Sequence, residues 1–289
     1  MSAPTNTTAS PTREGENPMT ELNGQVAVVT GAGSGMGRET ALLLAASGAT
    51  VVVVGRRREP LEDVRDEIVA AGGIAVIDVA DIAAEGAAEE LIVRVEETTG
   101  PIEILVNNAG SSSSVLNPLW LAEDEWRSVI EVNLTTVFLL SRAVLPGMIE
   151  RGGGTIITVS SLAALTPNLL GGAAYGAAKA GVRNFMTFLH TTFRGDGIRA
   201  ITVLPGEADT PILDNRARPP RADERANMVQ PIDVARAVHL AATLPSRTVL
   251  QEIVVAPTRQ RDVSGDLEIS RWLGAPDYAR PTNEQDASA

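Results

Sequence analysis

Short runs of β-branched and aliphatic residues recur along the chain, at 26–29, 51–54, 74–77, 104–106, 155–159, 201–204 and 253–255. None alternates cleanly with polar residues, which predicts strands buried on both faces. Between them, apolar residues return at helical spacing over 36–47, 59–71, 83–98, 123–149, 173–194 and 232–243. Strand and helix therefore alternate throughout. That alternation predicts a doubly wound α/β fold, in which about seven parallel strands carry helices on both faces because each strand must be sealed from water twice over. Ligands of such sheets bind outside the carboxyl ends of the strands, so the connections leaving each strand are where chemistry is sought.

The alternation breaks off at both ends. Residues 1–20 and 261–289 are polar, contain proline and lack an apolar period. They read as a disordered N-terminal tail and a C-terminal extension flanking one domain at 21–260, with Trp272 and Leu273 docking on the body. The 289 residues are 44% hydrophobic and 21% charged, which excludes collagen-like, coiled-coil and wholly disordered classes. Acidic residues outnumber basic ones 36 to 24, and no basic block exists to neutralise a phosphate backbone, so nucleic acid is not an expected partner. The absence of cysteine rules out disulfides, thiolate metal sites and cysteine nucleophiles. With only His190 and His239 besides, no metal centre is expected. The longest apolar stretch, 41–54, is interrupted by Ser47, Gly48 and Thr50 and falls short of the ~20 residues of a membrane span. Residues 1–20 lack the apolar segment of a signal peptide, so a cytoplasmic location is expected.

Directly after the first strand stands Thr30-Gly31-Ala32-Gly33-Ser34-Gly35-Met36-Gly37, leading into the first helix. Glycines let the backbone turn tightly and approach a pyrophosphate, and the helix behind them offers free N–H groups and its positive dipole end. The position, after strand one, points to a dinucleotide rather than to a tight connection alone. The second strand ends in Val54-Gly55-Arg56-Arg57-Arg58, with no carboxylate before Glu59. An acid there would bind the ribose hydroxyls of NAD, whereas a guanidinium holds the doubly charged 2′-phosphate of NADP. NADP(H) is therefore favoured over NAD(H), with Arg56 as the first contact. The competing reading makes the arginines a solvated helix entry.

On the helix expected at 173–194, Tyr175 and Lys179 are four residues apart and share a face. A phenol with a pKa of about 10 is a poor proton shuttle at neutral pH, but a fixed ammonium nearby favours the phenolate; lowering it by ~3 units corresponds to roughly 4 kcal/mol. Lys179 is the only lysine in the chain, every other basic residue being arginine, and Tyr175 is one of two tyrosines. Chance explains that coincidence poorly. A compact ammonium can reach both a phenol and ribose hydroxyls, and a planar guanidinium is not its equivalent.

Together, T-G-x-x-x-G-x-G, Asn107-Asn108-Ala109-Gly110, a serine closing the fifth strand and Tyr175-x-x-x-Lys179 resemble the short-chain dehydrogenase/reductase family over about residues 21–256. The resemblance implies a single Rossmann domain and hydride transfer between a nicotinamide and a carbonyl or secondary alcohol. It implies a tetrad in which Tyr175 is the general acid in reduction and Lys179 lowers its pKa while holding the ribose. Ser161 would bond the substrate oxygen, with Ser160 as the fallback, and Asn133 would anchor a relay water or simply satisfy backbone inside its helix. For the cofactor it implies contacts from Gly31, Gly33, Ser34, Gly35, Met36 and Gly37, and from Asp78 and Val79 at the adenine edge. Asn107, Ala109 and Gly110 would form the turn beside it, and Pro205, Gly206 and Thr210 the segment around the carboxamide. A homotetramer or homodimer, paired through the long fourth and fifth helices, is implied as well. Two alternatives stand beside this reading: NAD(P)-linked oxidation of a hydroxy acid or secondary alcohol, and a non-catalytic dinucleotide sensor.

Two features depart from many relatives. Glu207 follows Pro205-Gly206 where an aromatic or branched residue is common; it either salt-bridges an arginine or recognises a cationic or hydroxylated substrate. The last strand lacks a glycine-rich ending, which resembles the branch containing NADP-dependent 3-hydroxy acid and serine dehydrogenases. The substrate is expected between 111–115, 162–170 and 207–228, the last a mobile lid whose Arg216, Arg218 and Arg221 either attract an acidic substrate or form a solvated face. His190 and His239 read as packing or surface residues, and Trp120 and Trp126 as core or interface.

Overall fold

The seven apolar runs form β1 (Val26–Thr30), β2 (Thr50–Gly55), β3 (Ile74–Val79), β4 (Ile102–Asn107), β5 (Gly154–Val159), β6 (Ile198–Pro205) and β7 (Glu252–Val255) in a computed structural model that describes residues 21–280. All pair in parallel in the order β3-β2-β1-β4-β5-β6-β7. The chain starts mid-sheet, builds outward to β3, returns beside β1 as β4 and builds outward again to β7. The connections leaving β1 and β4 therefore diverge, which opens a crevice at their carboxyl ends.

Within each inner strand, alternate residues enter opposite cores. Val29, Val53, Val106 and Val203 pack beneath Leu44 of α1 (Gly35–Ala46), Leu61 of α2 (Arg58–Ala70) and Val238 of a later helix at Pro231–Thr243. Val28, Val52, Leu105 and Ile156 face Leu91 of α3 (Ala87–Thr98), Leu140 and Met186. The expectation of burial on both faces holds for the inner strands and fails at the edges. Ile74 of β3 is 60% exposed and Val254 of β7 52%, because an edge strand has one neighbour and incomplete helical cover.

The helix expected over 123–149 is three pieces: α4 (Glu123–Ile130), a π-helical turn at Glu131–Thr135, and α5 (Thr136–Glu150). The turn carries one widened loop of backbone in which Thr136 Oγ1 donates to Glu131 O at 2.9 Å. This continuous stretch, Glu123–Glu150, and not 41–54, is long and apolar enough to cross a membrane by length and composition; its inner face packs on β4, β5 and α3. Then follow α6 (Ala173–Phe193), the short α7 (Ala222–Arg225), α8 (Pro231–Thr243) and α9 (Ser264–Trp272).

The last helix lies within the expected C-terminal extension, beyond residue 260. Ser264–Trp272 is helical with Asp266 and Ser270 buried, and Trp120 Nε1 and Asn117 Nδ2 both donate to the carbonyl of Arg271. Its inward residues are polar and charged, so no apolar period announces it. The segment expected to be a mobile lid, 207–228, is pinned at its root by the bridge between Ala208 and Val229 and by Val229 N donating to Glu207 O at 3.1 Å. His190 is buried in α6, and His239 shares a 2.6 Å hydrogen bond with Ser47.

Candidate active site

The glycine turn is stapled across the β1/β4 crevice. Thr30 Oγ1 donates to Val106 O and accepts from Asn108 N at 3.0 Å and Ala109 N at 3.1 Å, while Asn108 Nδ2 donates to Thr30 O at 2.9 Å. Gly31 and Gly35 hold φ of 65° and 54°, a region L side chains rarely enter. At Gly37 a Cβ would collide with the Gly31 carbonyl oxygen and Asn108 Nδ2, so helix and turn close up only on glycine. Ser34 is the extended residue that starts α1, and the first turn of that helix holds no acidic side chain. Its unpaired N–H groups and dipole suit an anion. Thr210 lies over the same turn, its Cγ2 3.5 Å from where a Cβ on Gly35 would stand. Gly206, one strand end away, is fixed by its N–H donating to Val255 O at 2.7 Å. Met36 and Pro205 line the cavity described below.

Around this crevice the other expected cofactor residues divide. Arg56 is exposed and makes no ion pair among the described residues, whereas Arg38 is taken up by Glu39 and Glu67. The Asp78 carboxylate is clamped by Arg94 through two hydrogen bonds of 2.7 and 2.9 Å, so α3 orients it; Val79 beside it is exposed. Asn107 is buried, with Nδ2 3.4 Å from Thr158 Oγ1 and Oδ1 lacking a partner. Ala109 donates its N–H to Thr30 Oγ1 as above. Gly110 is exposed, and a Cβ on it would stand 2.9 Å from Asn133 Oδ1 and 3.6 Å from Lys179 Nζ. This glycine thus brings the β4 turn down onto α6 and the π turn.

Asn133 sits wholly buried in that turn, its Nδ2 donating to Ser111 O and Val129 O, both at 2.8 Å, and its Oδ1 without a protein partner. Lys179 is 4% exposed and donates to Val159 O at 2.8 Å, with Nζ 5.5 Å from the centroid of the Tyr175 ring. The two adjoining serines part ways. Ser160 Oγ donates to Lys179 O at 3.0 Å and is spent on the backbone of α6; Ser161 Oγ accepts from Ala163 N at 3.1 Å, and its hydrogen bonding also acts on the Tyr175 phenol.

One electrostatic expectation is reversed. Burial pushes the Tyr175 phenol above its ordinary value, and the hydrogen bond from Ser161 and the charge of Arg216 only partly offset it. Burial also pushes Lys179 down to about 8. Loss of hydration disfavours phenolate and ammonium alike, and it is the largest influence on each group.

Ser161 and Tyr175 open into a cavity of about 430 Å³ whose far wall includes Gly206, Glu207, Arg216 and Leu267 of α9. Glu207 is salt-bridged, the plainer of its two readings: Arg261 donates to both its oxygens at 2.7 and 2.8 Å, Arg216 adds a third bond, and together they hold its carboxyl below the usual range even though burial opposes them. Sequence reasoning missed Thr30 and Asn108 as the staple, although both stand inside the quoted motifs. It also missed Arg261 and Asp266, which lie beyond the expected domain boundary and carry no local signal.

This geometry joins a dinucleotide-shaped crevice to Ser161 and Tyr175 on a cavity wall, with Lys179 and Asn133 buried nearby; comparison with known proteins gives the family. The sequence profile of the short chain dehydrogenases matches residues 25–220. A short chain dehydrogenase of Pseudocercospora fijiensis is 38% identical over 193 residues, 66% of this chain and 62% of the relative. The 3-oxoacyl-[acyl-carrier-protein] reductase of Synechocystis is 37% identical over 231 residues, 79% of this chain and 93% of its own. A metagenomic short-chain oxidoreductase solved in complex with NADP superposes with a TM-score of 0.73 at 37% identity, covering 83% of this chain and all of that one. The chain belongs to the short-chain dehydrogenase/reductase family and is an oxidoreductase of that family.

Proposed function

We propose that this protein is an NADP(H)-dependent carbonyl reductase that also runs as a secondary-alcohol dehydrogenase. The observation that carries the reading is the Tyr175 phenol at the cavity wall, beside the Ser161 hydroxyl and 5.5 Å, by its ring centroid, from the Lys179 ammonium. The crevice fits the cofactor. Glycines crowd where a phosphate must approach, the α1 N-terminus is free of acid, and Arg56 is an unpaired cation among the described residues at the end of β2. Bound there, the dinucleotide supplies or accepts the hydride.

In reduction, Ser161 already accepts a backbone bond, so its one hydroxyl proton, which faces the Tyr175 phenol, is the group that would turn to donate to the substrate carbonyl oxygen. Tyr175 passes its phenolic proton to the same oxygen as the carbon takes the hydride. The phenolate that results is stabilised by Lys179, whose charged form still predominates at neutral pH with a pKa of about 8. Asn133 Oδ1, buried without a protein partner near Nζ, is the acceptor toward which a relay water would donate. The test is a panel of ketones and secondary alcohols followed by NADPH absorbance. Tyr175→Phe is expected to lose about 10³-fold in kcat while cofactor binding persists; near-full turnover would refute the assignment. The same proposal takes the protein as a homo-oligomer, with Phe138 of α5 and Phe188 of α6 exposed as monomer, and light scattering checks it.

A further inference from the structure

The cavity wall carries four arginines against three carboxylates, in a chain of net charge −12. Most of that charge is cancelled where it stands. Arg261, with its side chain 8% exposed, is clamped by Glu207, Asp266 and Glu224; Arg218 is held by Asp266 at 2.7 Å and Glu224 at 3.3 Å. Arg259 is exposed and unpaired among the described residues. Arg216 differs from all of these. It is partly buried, and its one bond runs from Nη1 to Glu207 Oε1, an oxygen already accepting from Arg261. Its Nε and Nη2 have no partner among the described residues. It shares the cavity wall with Tyr175, and its charge reaches the phenol.

Resting on the function proposed above, we infer that the substrate is an oxo acid, reduced to a hydroxy acid, and that Arg216 binds its carboxylate through Nε and Nη2. The edge of a guanidinium matches the two oxygens of a carboxylate. One bound monoanion brings the wall to four cations and four anions, whereas a phosphate dianion overshoots. Glu207 is a positioning residue in this scheme: anchored by Arg261, it holds Arg216 by Nη1 and leaves the other edge of the fork to substrate. The hydride adds to the carbonyl carbon and the Tyr175 proton to its oxygen, so the carboxylate itself is unchanged.

The test compares 2-oxobutyrate, acetoacetate and levulinate with their methyl esters, and with dihydroxyacetone phosphate, as substrates for NADPH oxidation. The parent is expected to favour one acid over its ester by about 10- to 100-fold in kcat/KM, the range of a charge-assisted bidentate contact. Arg216→Met brings that ratio near one, mainly through KM of the acid. Arg216→Lys, which keeps the charge and the Glu207 pair without the fork, retains part of it and guards against misfolding of the first variant. Equal use of acid and ester by the parent, a ratio preserved in Arg216→Met, or preference for the phosphorylated ketone each overturns the inference. Ester reduction that depends on Tyr175 would in those cases still uphold the reductase reading. If no member of the panel is turned over, calorimetric titration of the protein–NADPH complex with levulinate and its ester decides, and absence of acid-selective binding overturns it.

Discussion

The two halves of the sheet's carboxyl edge are built from different materials. Around β1, β2 and β4 the site is backbone: two positive-φ glycines, a helix end, and a threonine–asparagine staple, with few charges engaged. Around β5, β6 and β7 it is side chains: Glu207, Arg216, Arg218, Glu224, Arg261 and Asp266 lock three separate segments together. A backbone cradle admits one ligand geometry and tolerates little change. A wall of ion pairs can be rewritten residue by residue while the fold stays, which suits the half that must choose a substrate.

Several substitutions would break or sharpen that contrast. The largest effect is expected from Gly37→Val, whose side chain meets rigid backbone at Gly31; overpacking there should cost about 3 kcal/mol or more and weaken NADPH binding by about 100-fold in a fluorescence titration. On the other half, Asp266→Ala removes a nearly buried partner of Arg218 and Arg261 and should cost about 2–3 kcal/mol. Hydrogen exchange should rise across α9 while NADPH affinity is held; a loss of NADPH affinity would show that the halves are not independent.

Lys179 tests the cost of the buried centre. Its pKa of about 8 lies below the ordinary 10.5, so the unfolded chain binds more protons and stability should rise as pH goes from about 8 toward 10. Above pH 10 Tyr175 works the other way, because its phenol, raised from 10.0, ionises first in the unfolded chain. Lys179→Met should abolish the rise and be more stable at pH 7 by about 1–3 kcal/mol in urea melts, though inactive. The smallest effect is Arg56→Ala, expected to lower the NADP over NAD preference in kcat/KM by about 10-fold, since the exposed guanidinium acts in high dielectric.

The same contrast explains what was legible in the sequence. Gly31, Gly35 and Gly37 are demanded by local backbone geometry, so spacing alone exposes them, and the lone Lys179 one turn beyond Tyr175 is a local pattern too. Strands β1 to β7 announce themselves through short runs of β-branched and aliphatic residues. Arg261 meets Glu207 across 54 positions and Asp266 meets Arg218 across 48, and both sit in a polar stretch, where no periodicity registers a helix whose inner face is charged. The phenol's direction of shift was missed for a related reason: spacing reports that an ammonium is near, but not how much water both groups have lost.

The widened turn at Glu131–Thr135 lets site and core make separate demands on one helix. Five residues of such a turn sweep about the same angle as four residues of α-helix, so closing it by deleting one position would leave Leu140, Val144 and Met148 facing the sheet while re-aiming Asn133, which lies inside the turn, away from Ser111. Descendants of this chain could shed the extra position without disturbing the core, and would surrender the buried amide of Asn133 in doing so.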